Sequence, residues 1–185
     1  VNGETFCTFT YLAPVVTSVT GLGAAWVPVV LALFGLGSFV GECVGGRIAD
    51  ARPAPLLVVG GSALLVGWGV FAPTAGDPVA AVALAFVRGA LSFAVGSTLI
   101  SQALYAAADA PTLAGGFATA AFNVGAAVGP WVGGVVIGAG LGYRSPLWVS
   151  AVLVALALTM RVAGRLRLTR QRSRPRTVPV GESGR

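Results

Sequence analysis

The sequence predicts an all-α protein, a polytopic membrane bundle of six transmembrane helices, and three observations predict it. Hydrophobic residues fill 56% of the 185 positions and charged residues only 10%, with a mean hydropathy of +0.86. Soluble domains sit near ~45–50% and ~25%. A chain so poor in charge cannot cover itself with polar surface, so hydrocarbon is its solvent. The apolar residues gather into six tracts separated by short polar turns. The 27 glycines are spread through those tracts, which would weaken soluble helices but suits helices packing closely in lipid. No stretch keeps the ten-residue apolar and polar alternation of a membrane barrel.

The tracts run from Val1 to Val19, Ala25 to Val44, Pro55 to Phe71, Val79 to Gln102, Leu113 to Leu141 and Pro146 to Ala163. Each is close to the ~20 residues a bilayer core requires. The first opens on Asn2, Gly3, Glu4 and Thr5 with no basic flank, as though the start of a helix were missing. A first residue Val1 fits a fragment or an unusual start codon, and no signal peptide is visible. The turns are Thr20 to Ala24, Arg47 to Ala54, Ala72 to Pro78, Ala106 to Thr112 and Gly142 to Ser145, short enough to make neighbouring helices antiparallel. Residues 1–163 therefore form the six-helix domain. Residues 164–185 form a basic tail, expected to be disordered and to lie near anionic lipid.

All twelve basic residues are arginine, and eight of them lie from Arg161 onward. With the tail in the cytoplasm, the turn holding Arg47 and Arg52 is inside too, Arg144 is outside, and Arg88 is in the membrane; this is a positive-inside distribution for a cell-membrane protein. The tail lacks the interleaved aromatics of a nucleic-acid binder, so no nucleic acid is expected. Cys7 and Cys43 lie in apolar tracts and imply no disulfide framework. With no histidine in the chain, Ser-His and Cys-His catalytic pairs and imidazole metal sites are excluded. An enzyme is not expected, nor any cofactor or metal.

Two glycine-centred patterns carry a resemblance. In the fifth tract Gly116, Gly125, Gly129, Pro130, Gly133 and Gly134 stand at the spacing of the antiporter motif of major facilitator drug exporters. Gly125, Gly129 and Gly133 recur every four residues, a bare stripe on one helix face that admits a close neighbour, and Pro130 removes a backbone donor beside it. Between the second and third tracts, Gly46, Asp50 and Arg52 resemble the cytoplasmic loop motif of the same superfamily, with Ala51 where a basic residue is usual. Asp50 either holds an inner gate by capping or pairing at a helix end, or sits in a solvated turn. The runs Phe9-Thr10-Tyr11-Leu12-Ala13-Pro14 and Ala121-Phe122-Asn123-Val124-Gly125 resemble the drug:proton antiporter branch with chloramphenicol-resistance and arabinose-export-like proteins. The resemblance implies helices seven to twelve of a major facilitator transporter, its C-terminal half.

Polar side chains inside the bilayer are costly, about 2.5–3.5 kcal/mol for a central arginine on insertion scales, so each is a candidate for function. Arg88 lies about 15 Å into the fourth helix and should face a wet cavity or a partner. Ser92 and Gly96 follow on the same stripe, which reads as a pathway lining or as the site of a static ion pair. Glu42 is a proton carrier or a partner of Arg47 or Arg52. Glu4 is a second acidic candidate. Thr119 and Asn123, one turn apart, bond either a ligand or a neighbouring helix; Tyr11 and Gln102 are further candidates. Phe6, Phe9, Tyr11 and Phe93 suit an apolar drug pocket or plain packing. The expected function is proton-coupled export of small amphipathic compounds. The expected partners are a small-molecule substrate, protons, the lipid bilayer, and an N-terminal six-helix half or a second copy. A non-transporting fragment, a half-size subunit, a sugar or metabolite transporter and a small channel remain the alternatives.

Overall fold

The computed structural model describes residues 1–106 and 111–172. Six helices cover nearly all of them. Helix α1 (Asn2–Pro14) passes into a π-helical turn over Val15–Val19, next to Pro14, whose ring disturbs the regular ladder. Then come α2 (Trp26–Ala51), α3 (Pro53–Thr74), α4 (Pro78–Ala106), α5 (Pro111–Val136) with a π-helical turn over Ile137–Leu141, and α6 (Ser145–Arg172). Helices α2 to α6 are each long and apolar enough to cross a membrane. Helix α1 with its π turn, residues 2–19, is the sixth helix of the bundle and is not among those five.

The turns on either side of α3 are shorter than the sequence suggested. Helix α2 continues through the loop motif to Ala51, and Arg52 alone (φ −146°, ψ 66°) separates it from α3. The reason is local: the residue before Pro53 is driven out of the helical region, and proline is well suited to the first turn of the next helix. Similarly α3 runs to Thr74, and Asp77 starts α4 by accepting the Ala80 N–H at 2.7 Å. Gly142, at φ 73°, makes the reversal into α6 that other residues resist. Helix α6 passes the expected boundary at residue 163 and stays helical to Arg172, since leucine and arginine there are strong helix formers. Its 28 residues span about 42 Å, more than a ~30 Å hydrocarbon core, so its basic end projects beyond the membrane. Residues 173–185 of the expected tail lie outside the described residues.

The packing has an internal symmetry. Helix α1 lies against α5 and α6, α4 lies against α2 and α3, and α3 meets α6. The first helix of each triplet thus packs on the second and third of the other, an inverted repeat of three helices. One apolar core joins the π turn after α1 with α3, α4 and α6 through Val15, Leu64, Trp68, Phe71, Val95, Leu147 and Val154. A smaller one joins α1, α2 and α4 through Leu12, Val16, Val30, Phe34 and Ala85.

Candidate functional site: a buried charged cluster

Both seams that hold this arrangement are glycine-lined. On α5, a Cβ added at Gly129 would collide with the Gly3 carbonyl of α1, and one at Gly133 would stand 2.7 Å from the Tyr11 ring and 2.9 Å from Cys7 Sγ. The expected bare stripe therefore receives Gly3, Cys7 and Tyr11 of α1, and the Tyr11 hydroxyl donates to the Pro130 carbonyl at 2.9 Å. On α2, Gly37, Gly41 and Gly45 face Phe86, Ala90 and Ala94 of α4; a Cβ on Gly41 would lie 2.6 Å from Ala90 Cα. Sequence reasoning passed over this second seam. Its signal was available, because Gly37-x-x-Val40-Gly41-x-x-Val44-Gly45-Gly46 repeats as Gly125-x-x-Val128-Gly129-x-x-Val132-Gly133-Gly134.

The seams fix α1 and α4, and these two helices carry the buried charges. Glu4 is 0% and Arg88 1% exposed. Glu4 Oε2 accepts the Trp68 indole N–H at 2.8 Å, and Oε1 accepts the hydroxyls of Ser92 at 3.0 Å and Thr5 at 3.1 Å. Its backbone carbonyl accepts Ser150 Oγ at 2.9 Å, and Ser150 in turn bonds Thr8 at 2.9 Å, tying α1 to α6. Arg88 Nη1 donates to the Leu64 carbonyl at 2.7 Å, and its guanidinium carbon lies 4.0 Å from the centre of the Trp68 ring. Gly67 leaves the room this requires, since a Cβ there would meet the guanidinium. Arg88 Nε and Nη2 are buried without a hydrogen-bond partner. Such donors are costly unless something else takes them.

Ser92 belongs to this cluster and also to the wall of a cavity of about 430 Å³, bordered by Val1, Glu42, Phe93, Ile100 and Phe122 among others. The structure thus brings Glu4, Arg88 and Ser92 together and puts Glu42 on the wall of the cavity that Ser92 also lines. Glu42 is exposed and, among the described residues, pairs with neither Arg47 nor Arg52. Arg47 is five positions along the same helix and so points to another face, and Arg52 lies past the helix end. Of the other candidates, Thr119 and Asn123 are exposed on α5, away from the cluster, with Thr119 bordering a separate recess beside Leu104 and Phe122. Gln102 lines a third space with Thr98, Ser101 and Tyr105. Phe6 packs edge-on against Phe122 and Phe9 tilts on Phe34, while Phe93 faces the cavity. A Cβ added at Gly46 or Gly116 would meet nothing within 4 Å, Arg52 is exposed, and the Asp50 side chain lies outside the described residues.

Trp68 is the residue that sequence reasoning missed. It is fully buried, stacks on Phe71 at 6.0 Å, and joins the two charges. Tryptophan in membrane helices favours the interfaces, and Trp68, six residues before the end of α3, reads from the sequence as one of those, so its burial carried no signal there.

Long apolar helices, an opposed pair of charges deep among them and a cavity beside those charges define a multi-pass helical bundle with a polar centre. The chain belongs to the Major Facilitator Superfamily, which it matches over residues 3–184. It is 58% identical over 158 residues to a chloramphenicol resistance protein of Streptomyces lividans, covering 85% of this chain and 40% of that protein. It is 34% identical over 182 residues to the inner membrane transport protein YdhP of Escherichia coli, covering 98% of this chain and 45% of that protein. To the purine ribonucleoside efflux pump NepI of Escherichia coli it is 30% identical over 168 residues, covering 85% and 40%. The chain spans less than half the length of these relatives.

Proposed function

We propose that the chain is the C-terminal six-helix half of a proton-coupled exporter of small amphipathic compounds. In this reading it works in the cell membrane with an N-terminal six-helix half or a second copy, its C-terminal end in the cytoplasm, and performs transport rather than catalysis. The observation that carries it is the Glu4–Trp68–Arg88–Ser92 cluster, charged, buried, and bordered by a cavity. A proton crossing 100 mV supplies roughly 2.3 kcal/mol, which a transporter can use only through a group that takes up and releases protons. Glu4 is that group, Arg88 is the positive counterpart that favours its release, and Ser92 links the carboxylate to the cavity. Likeness to a chloramphenicol resistance protein and a nucleoside efflux pump supports outward transport of small organic molecules and makes chloramphenicol the first substrate to try. In this reading the Gly46–Arg52 stretch, the end of α2 with the Arg52 break before α3, gates the cytoplasmic side.

The test uses the chain joined to, or co-expressed with, its complementary half in proteoliposomes carrying a proton gradient, with chloramphenicol export as the readout. Wild-type protein exports and a protonophore stops it. Arg88→Ala lowers export about tenfold or more, because removing one member of a buried charged pair costs about 2–5 kcal/mol, and Glu4→Gln abolishes dependence on the gradient. Normal, gradient-driven export by both variants would remove the cluster from the mechanism.

A further inference from the structure

We propose that Trp68 is a positioning residue that keeps Glu4 and Arg88 from pairing directly and transmits a change of charge at one to the other; this rests on the reading of that cluster as a transport site. Two opposite charges buried in one apolar core ordinarily close on each other, because their attraction is strongest where water is excluded. Here the indole stands between them. Its N–H edge donates to Glu4 Oε2 at 2.8 Å and its face receives the Arg88 guanidinium at 4.0 Å.

The surroundings hold the indole in that role. Phe71 stacks on it, Nη1 of Arg88 is drawn to the Leu64 carbonyl, Gly67 leaves the guanidinium its place, and the other carboxylate oxygen is taken by Ser92 and Thr5. Arg88 therefore keeps two buried donors, Nε and Nη2, without an acceptor. A direct ion pair would use them and leave the carboxylate reluctant to accept a proton. With the ring interposed, neutralising Glu4 removes the charged acceptor from the indole N–H, and the ring that carries the guanidinium is released with it. The two charges are coupled without being locked.

Other ionisable groups near Glu4 are few. Cys7 lies one turn along α1. Glu42 of α2 and Arg161 of α6 border the two cavities on which Val1 opens. Helices α3 and α5 carry no Asp, Glu, Arg or Cys in their spans. Among the described residues, Arg88 is thus the charged side chain that shares the core with Glu4.

A variant keeping Trp68 as the sole tryptophan isolates the effect, with Trp26→Phe, Trp131→Phe and Trp148→Phe made at exposed positions. In the full chain purified in detergent, Trp68 emission shifts with pH through a single step, Glu4→Gln abolishes the shift, and Arg88→Gln displaces its midpoint. Emission that does not change with pH, or a step that survives Glu4→Gln, overturns the proposal. In the assembled exporter, Trp68→Phe keeps an aromatic face but loses the donor. It changes the pH midpoint of export, because one charge-assisted hydrogen bond to the carboxylate is lost, and export persists. A Trp68→Phe midpoint equal to wild type, when Glu4→Gln and Arg88→Ala do impair export, overturns the role of Trp68 alone. If those two variants export normally, it is the transport-site reading that fails.

Discussion

The two glycine seams of this bundle have nearly the same sequence and different consequences. The ten residues from Gly37 on α2 and from Gly125 on α5 share four glycines and two valines in register, and each seam receives the first helix of the opposite triplet. At the position after the central glycine they part: α2 has Glu42, which faces the cavity, and α5 has Pro130, whose carbonyl takes the Tyr11 hydroxyl. Between α2 and α4 backbone meets backbone along three successive turns, with Gly89 of α4 in turn pressed on Phe34 and Ser38. Between α5 and α1 only the first two contacts are backbone on backbone, and the third is filled by the side chains of Cys7 and Tyr11. Similar stripes thus build one rigid seam and one adjustable seam. The rigid seam mounts Arg88 and the adjustable seam mounts Glu4.

The sharpest way to break this comparison is to fill the middle of each seam. Gly41→Val forces a branched side chain into Ala90 with long helices on both sides and nowhere to yield. Overpacking of a tight interior costs typically 1–3 kcal/mol and more where backbone must move, so a loss of about 3 kcal/mol is expected. Most of the protein should then be lost as a monodisperse peak on size-exclusion chromatography in detergent. Gly129→Val meets Gly3 on a seam whose next contact, at Gly133, is made by the side chains of Cys7 and Tyr11, which can shift where backbone cannot. A cost of about 1–2 kcal/mol is expected, read as a lowered melting temperature of a protein that still purifies. Equal losses from the two substitutions would erase the distinction between the seams.

These seams also mark how far the sequence could be read. The α5 stripe was legible because its glycines come with Pro130 in a recognisable spacing; the α2 stripe, without the proline, showed only when the two tracts were laid beside each other. Glu4, Arg88 and Ser92 were legible because hydrocarbon makes each of them conspicuous. Their arrangement was not, because the partner of both charges is Trp68, an apolar-looking residue within an apolar tract, and its hydrogen bond and ring contact exist only once α1, α3 and α4 are brought together. The pairing expected of Glu42 with Arg47 or Arg52 failed for a helical reason: the loop assumed around Arg47 is a continuation of α2, which turns the arginine away.

The smallest effect separates a spacing from a contact. Gly116 opens the ten-residue interval of the α5 pattern, yet a Cβ added there meets nothing within 4 Å, as at Gly46 on α2. If close packing is what these glycines provide, Gly116→Ala removes backbone freedom without adding a clash. It should then leave stability unchanged or raise it, by no more than the ~1 kcal/mol that separates glycine from alanine in a helix. Thermal unfolding of the two proteins side by side measures this. A clear loss of stability would mean that Gly116 meets a neighbour that the six helices do not supply, and the face of α5 bearing Thr119 and Asn123 would be where that neighbour lies.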